Sequence, residues 1–187
     1  MRSFALIFAM ASVGACGGVA AIDVHDERVP LEARQWVGGA DDGVAIAESG
    51  VDDARVVLRE VEVWKRGLAA NKARRGATLE APLTAFVAAR EKLAELRLAD
   101  AEAMLTLAQR TRTLVHAETA MRYDLAVYDL PLLRAAVEAA RSGHERLSRA
   151  AEEAVVAREA ASATFWSAYR SAYAQNPEIG AMFWGGK

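Results

Sequence analysis

The sequence predicts an all-α protein: an elongated, three-helix, coiled-coil-like bundle built on a long antiparallel hairpin. Three observations carry this. From Val51 onward, Ala, Leu, Arg and Glu dominate, and all four are strong helix formers. Apolar residues recur at helical spacing, and no segment sustains the alternation of a half-buried strand. Beyond Val51, proline occurs only at Pro82, Pro131 and Pro177, so the intervening segments are long enough for extended helices.

The first helix is expected to begin near Val51. Ala54, Val57, Leu58, Val61, Trp64 and Leu68 form its apolar face. Glu62 and Arg66 add an i,i+4 ion pair. Gly67 weakens the last turns, and Gly76 is the expected stop. Pro82 is placed to start the second helix, which would run to Tyr128 and span roughly 70 Å at about 1.5 Å per residue. Asp129-Leu130-Pro131 interrupts the pattern. A third helix of nearly equal length would follow, from Pro131 to Asn176, stopped by Pro177.

Near-equal lengths predict that the second and third helices fold back on each other. A turn at Asp129–Pro131 would set Leu96 against Phe165, Leu107 against Ala154, Leu114 against Leu147 and Met121 against Ala140. Large residues opposite alanine permit close helix packing. Glu118–Arg122 and Glu145–Arg149 are further i,i+4 pairs. Two alternatives stand beside this. No glycine marks the turn, so the chain could instead be one helix kinked at Pro131. Ser142 and Glu145 have capping-box spacing around Gly143, so the third helix could break and restart there.

The chain has 187 residues, 53% of them hydrophobic, enough for one domain with a core. A formal net charge of −2 provides no field to attract nucleic acid, and none is expected as a partner. The single cysteine, Cys16, excludes an internal disulfide framework and a multi-thiolate metal site.

That cysteine sits in an informative place. Arg2 is followed by an uncharged, mostly apolar run, Phe4–Val13, then by small residues, as in a secretory signal peptide. The run is shorter than the roughly 20 apolar residues of a membrane-spanning helix. Val13-Gly14-Ala15-Cys16 resembles the lipobox of bacterial lipoproteins: an aliphatic residue, two small residues, then cysteine. The resemblance implies transfer of a diacylglycerol to the Cys16 sulfur, cleavage between Ala15 and Cys16, and stable anchoring by two or more acyl chains. Gly17, rather than Asp, follows the cysteine, which by the same resemblance favours the outer membrane, facing the periplasm. The only cofactor implied is this covalent lipid.

Four regions are therefore expected. Residues 1–15 form a removable signal peptide, and 16–50 a lipidated N-terminus and flexible tether. Residues 51–176 form the helical domain, and 177–187 an apolar, aromatic tail. The tether assignment rests on Gly17, Gly18, Gly38, Gly39, Gly43 and Gly50 with acidic residues between them. Pro30–Val37 is a candidate short helix, docked by Trp36 and Val37.

The sequence contains no phosphate loop, nucleophile elbow or H-E-x-x-H motif, and no enzymatic activity is expected. His25, among Asp23, Asp26 and Glu27, reads as solvated charge. His116 and His144 would stand at one level of the hairpin, a candidate two-histidine metal site. Phe165, Tyr169 and Tyr173 form one stripe, expected to pack on Leu93, Phe86 and Trp64. Met182, Phe183 and Trp184 in the tail are candidates for folding back, touching lipid or binding a partner.

The expected function is that of a structural or protein-interaction module of the cell envelope, binding an envelope protein or a second copy of itself through its helices. A second reading is an accessory of a transport or secretion assembly. Leu93–Tyr173, with Arg110-Thr111-Arg112 and Arg122-Tyr123-Asp124, faintly resembles the α-helical hairpins of outer-membrane efflux channels. It departs from them in lacking a glycine after Arg122-Tyr123, a second hairpin and barrel strands.

Overall fold

The computed structural model describes residues 22–23, 26–70 and 77–177. Within them the protein is all-helical, with three helices: α1 (Leu31–Ala70), α2 (Ala77–Arg122) and α3 (Leu130–Gln175). At about 1.5 Å per residue these are rods of roughly 60, 70 and 70 Å. α2 is the middle member, with α1 and α3 each packed along it.

α1 corrects the tether assignment. Residues 31–50 are not a flexible linker but the first half of a 40-residue helix. The reason is a run of apolar positions that alternates steps of four and three: Ala33, Val37, Ala40, Val44, Ala47, Val51, Ala54, Leu58 and Val61. That 3.5-residue period keeps one seam facing a neighbouring helix. Ala33, Val37, Ala47, Val51 and Val61 are all buried along it. The glycines lie off the seam. A Cβ added at Gly38, Gly39, Gly43 or Gly50 would meet nothing within 4 Å. They lower local helix propensity without being required by packing, and the buried seam outweighs them. The helix follows Pro30, as the expected short helix did, but does not stop at Val37.

α1 and α2 are antiparallel. Trp36 lies beside Arg122, Asp41 beside Arg112, Arg55 beside Glu102 and Lys65 beside Glu91. α2 starts at Ala77, upstream of the expected Pro82, which falls in its second turn. There Pro82 removes one backbone bond, to the Thr78 carbonyl. The expected stop at Gly76 lies outside the described residues.

Between α2 and α3 the chain makes a hairpin, not a kinked helix. α2 ends at Arg122, earlier than the expected Tyr128. The Leu125 N–H donates to the Ala120 carbonyl at 2.8 Å, and the Asp124 N–H to the Met121 carbonyl at 3.4 Å. Asp124 has φ 52°. This is a Schellman stop, with aspartate in the left-handed position that glycine usually fills. α3 then begins at Leu130 behind an Asp129 N-cap, whose side chain accepts the Leu132 N–H at 3.1 Å. Pro131 sits in the first turn, where its missing N–H costs nothing. α3 runs unbroken through Ser142-Gly143, so the capping-box spacing there is not used. Asn176 caps its C-terminus, donating to the Ala172 carbonyl ahead of Pro177.

The early end of α2 moves the hairpin register. Phe86, not Leu96, packs against Phe165, and Glu118 pairs with Arg134 at 2.8 Å. The expected pairings were displaced by about ten residues because they centred the turn on Asp129–Pro131, whereas α2 already ends at Arg122. One expected surface pair changes as well. Glu118 reaches across the hairpin rather than to Arg122, and Arg122 lies over the Trp36 ring.

Candidate interaction surface

The largest aromatic assembly stands near the end of the bundle away from the hairpin turn. Leu83, Val87 and Phe165 form its buried core, with Trp64, Leu68, Phe86 and Tyr169 packed against them. Phe86 and Phe165 stack with centroids 5.6 Å apart, and Trp64 meets Phe86 edge-on at 5.9 Å. The expected stripe of Phe165, Tyr169 and Tyr173 therefore forms, on Phe86 and Trp64. Leu93 is buried as well. Burial of each such ring contributes a few kcal/mol to the cohesion of this end.

The assembly is not fully covered. Trp166 is 38% and Tyr173 46% exposed. Tyr169 continues the ladder to Tyr173 at 6.1 Å and meets Trp166 edge-on at 5.5 Å. Between α2 and α1, the Arg90 guanidinium lies 5.0 Å from the Trp64 ring centre, a cation–π contact. Beside it, where α1 and α3 both flank α2, Val57, Val61, Phe86, Leu93, Arg90 and Arg158 line a groove. Exposed tryptophan and tyrosine, and arginine, are the side chains that most often anchor protein interfaces.

The two candidate histidines are not brought together. His116 is buried on the side of α2 that faces α1. Its Nδ1 accepts the Ile22 N–H at 3.2 Å, which places the imidazole proton on Nε2. Nε2 stands 3.4 Å from Asp41 Oδ1 without a hydrogen bond to it, and Arg112 binds that carboxylate. His144 lies on the α2–α3 seam, with Nε2 3.4 Å from Asp100 Oδ1. In the hairpin register, His116 stands level with a point on α3 about nine residues before His144, or roughly 13 Å along the helix. The pair is therefore no common metal site. Among the described residues, no three histidines, cysteines or carboxylates are grouped to hold a metal.

His116 instead fastens the N-terminal segment. Ile22 is held on His116, and Arg34 donates to the carbonyls of Val29 and Asp26 at 2.8 and 3.1 Å. Arg28 pairs with Asp26 at 2.8 Å and holds that carboxyl down at about 2. Val29 is completely buried. The described residues just before α1 thus lie at the hairpin-turn end of the bundle, with Ile22 hydrogen-bonded to α2. Sequence reasoning missed this because it placed Asp41 in a tether. The heptad spacing of Ala33 through Val61 was the signal that could have found it.

Ala15, Cys16, His25, Met182, Phe183 and Trp184 lie outside the described residues. No helix among the described residues is long and apolar enough to cross a membrane. No family model matches this chain, and neither does any curated protein or solved structure.

Proposed function

We propose that this chain is a membrane-anchored lipoprotein of the cell envelope, and that its helical body is a non-catalytic structural and protein-interaction module. The observation that carries the reading is Val13-Gly14-Ala15-Cys16, directly after the apolar run Phe4–Val13 and containing the only cysteine of the chain. A thiol in that position is the nucleophile that lipid transfer requires. Gly17 after the cysteine supports the outer membrane, facing the periplasm.

Two features of the body support an interaction role. The described chain is given over to long helices, with α2 and α3 joined by a tight turn. Its exposed large apolar side chains include Trp166, Tyr173 and Val156 on α3 and Val63 on α1. α1 packs antiparallel along α2 as α3 does, and this three-helix arrangement supports a partner-binding rod.

The test is metabolic labelling of cells with radiolabelled palmitate, followed by membrane fractionation. The parent protein incorporates label and sediments with the outer membrane, while Cys16→Ser does neither. A Cys16→Ser protein that still carries palmitate and stays in the membrane fraction overturns the reading.

A further inference from the structure

We propose that the hairpin-turn end of the rod is a membrane-contact surface that rests against the lipid bilayer holding the anchor. This deepens the lipoprotein reading and rests on it.

The placement comes from where the N-terminal segment is bound. Ile22 is fixed to His116, near the C-terminal end of α2, and Val29 is buried just before α1 starts. Cys16 precedes Ile22 by six residues. Six residues span at most about 20 Å when fully extended. A lipid on Cys16 therefore holds the bilayer within about 20 Å of Ile22, whatever conformation the intervening residues take. The core around Leu83 and Phe165 lies roughly 50 Å further along α2, out of that reach. The turn end is thus the part of the rod that the anchor keeps beside the membrane.

The turn end has the side chains for such contact. Because α1 is antiparallel to α2, and α2 to α3, the start of α1, the α2–α3 turn and the start of α3 share this end. It exposes Leu31 at 72%, Val127 at 89% and Leu132 at 63%. Val127 is the most exposed large apolar residue described, at the tip of a loop that nothing in the fold requires to be apolar. Trp36, 47% exposed with Arg122 over its ring, stands just behind them. Apolar side chains at the tip with Trp and Arg behind match the gradient from acyl chain to headgroup, where Trp and Arg are favoured. Arg134 pairs with Glu118 and Arg28 with Asp26, and Glu27, Glu32, Asp124 and Asp129 bring acidic charge to the same end, so the contact is apolar rather than driven by anionic lipid.

The lipidated, mature protein provides its own test. With the Cys16 sulfur bound to lipid, an introduced cysteine is the only free thiol. Val127→Cys, Leu132→Cys and, as a control on an exposed face far from the turn, Val63→Cys are labelled with an environment-sensitive nitrobenzoxadiazole dye. They are reconstituted in phosphatidylethanolamine–phosphatidylglycerol vesicles with doxyl-labelled phosphatidylcholine as quencher. Far-UV circular dichroism confirms that each variant is folded, and radiolabelled palmitate reports the anchor independently. The expected result is quenching at positions 127 and 132 several-fold greater than at 63, with a blue-shifted emission. Palmitate incorporation with no more quenching at 127 and 132 than at 63 overturns the membrane contact and leaves the lipoprotein reading intact. No palmitate incorporation overturns that reading, and this inference with it.

Discussion

The first half of α1 offers a sharp test of the fold, because a tether and a packed helix respond differently to the same substitutions. Gly39 and Gly50 are exposed helical positions where an added Cβ meets nothing within 4 Å. In a helix interior, alanine is better than glycine by about 0.5–1 kcal/mol, so Gly39→Ala with Gly50→Ala should stabilise by roughly 1–2 kcal/mol. For a chain of this size that raises Tm by about 2–8 °C. Val37, between these glycines and Pro30, is completely buried. Val37→Ala removes the equivalent of two methylenes at about 0.8 kcal/mol each. The cavity left behind brings the loss to roughly 2 kcal/mol. Equilibrium urea unfolding of the detergent-solubilised mature protein, followed by far-UV circular dichroism, measures both. A segment that is not packed gives no change in either variant, since neither the glycines nor Val37 would be ordered in the folded state. Unchanged midpoints in both would therefore refute the assignment of residues 31–50 to the bundle. A loss of stability in the glycine double variant would show that the backbone there is not helical.

Two further predictions concern the same end of the molecule. Asp124→Gly relieves the left-handed backbone at φ 52° and should stabilise by about 1 kcal/mol, read as a higher urea midpoint at unchanged slope. Asp26, held at about 2 by Arg28 against an ordinary value of 3.8, contributes stability that is fully present above 3.8 and is lost as pH falls through about 2. NMR titration of the Asp26 carboxyl should show its midpoint moving up toward 3.8 in Arg28→Ala, and an unmoved midpoint would remove the ion pair as the cause.

The helical class and the hairpin were legible in the sequence because their signals agree. Composition, apolar spacing and the prolines all favour long helices divided near residue 130. The aromatic packing of Phe165 on Phe86 and Trp64 was legible for the same reason, since a stripe of rings at helical spacing has few alternatives. The errors have two physical sources. In α1, propensity and tertiary packing disagree. Gly38, Gly39, Gly43 and Gly50 argue locally for a flexible chain, while the seam from Ala33 to Val61 argues for a helix once a partner covers it. Packing contributes more per residue, and α2 supplies the partner. At the hairpin, the stop is chemically disguised. Asp124 takes the left-handed position, so no glycine marks it, and Pro131 draws attention to the start of α3 rather than the end of α2. That displacement is enough to separate His116 from His144, so the candidate metal pair depended entirely on a register the sequence left open.

The middle position of α2 explains why it carries so little one-sided patterning, and it frees the outer helices for function. A helix with one partner needs one apolar stripe, as α1 shows. α2 has two partners, and it buries neighbouring residues that point in different directions: Leu93 with Ala94, His116 with Ala117, Thr119 with Ala120. Alanine and threonine at these places let α1 and α3 approach a helix that cannot turn one face to water. The structural demands of the bundle thus fall mainly on α2, and the outward faces of α1 and α3 are left free of them. Apolar residues on those faces, such as Val63 and Val156, are largely exposed. On the proposed membrane contact at the turn end, Trp166 and Tyr173 stand at the opposite end of the rod, where a partner can reach them.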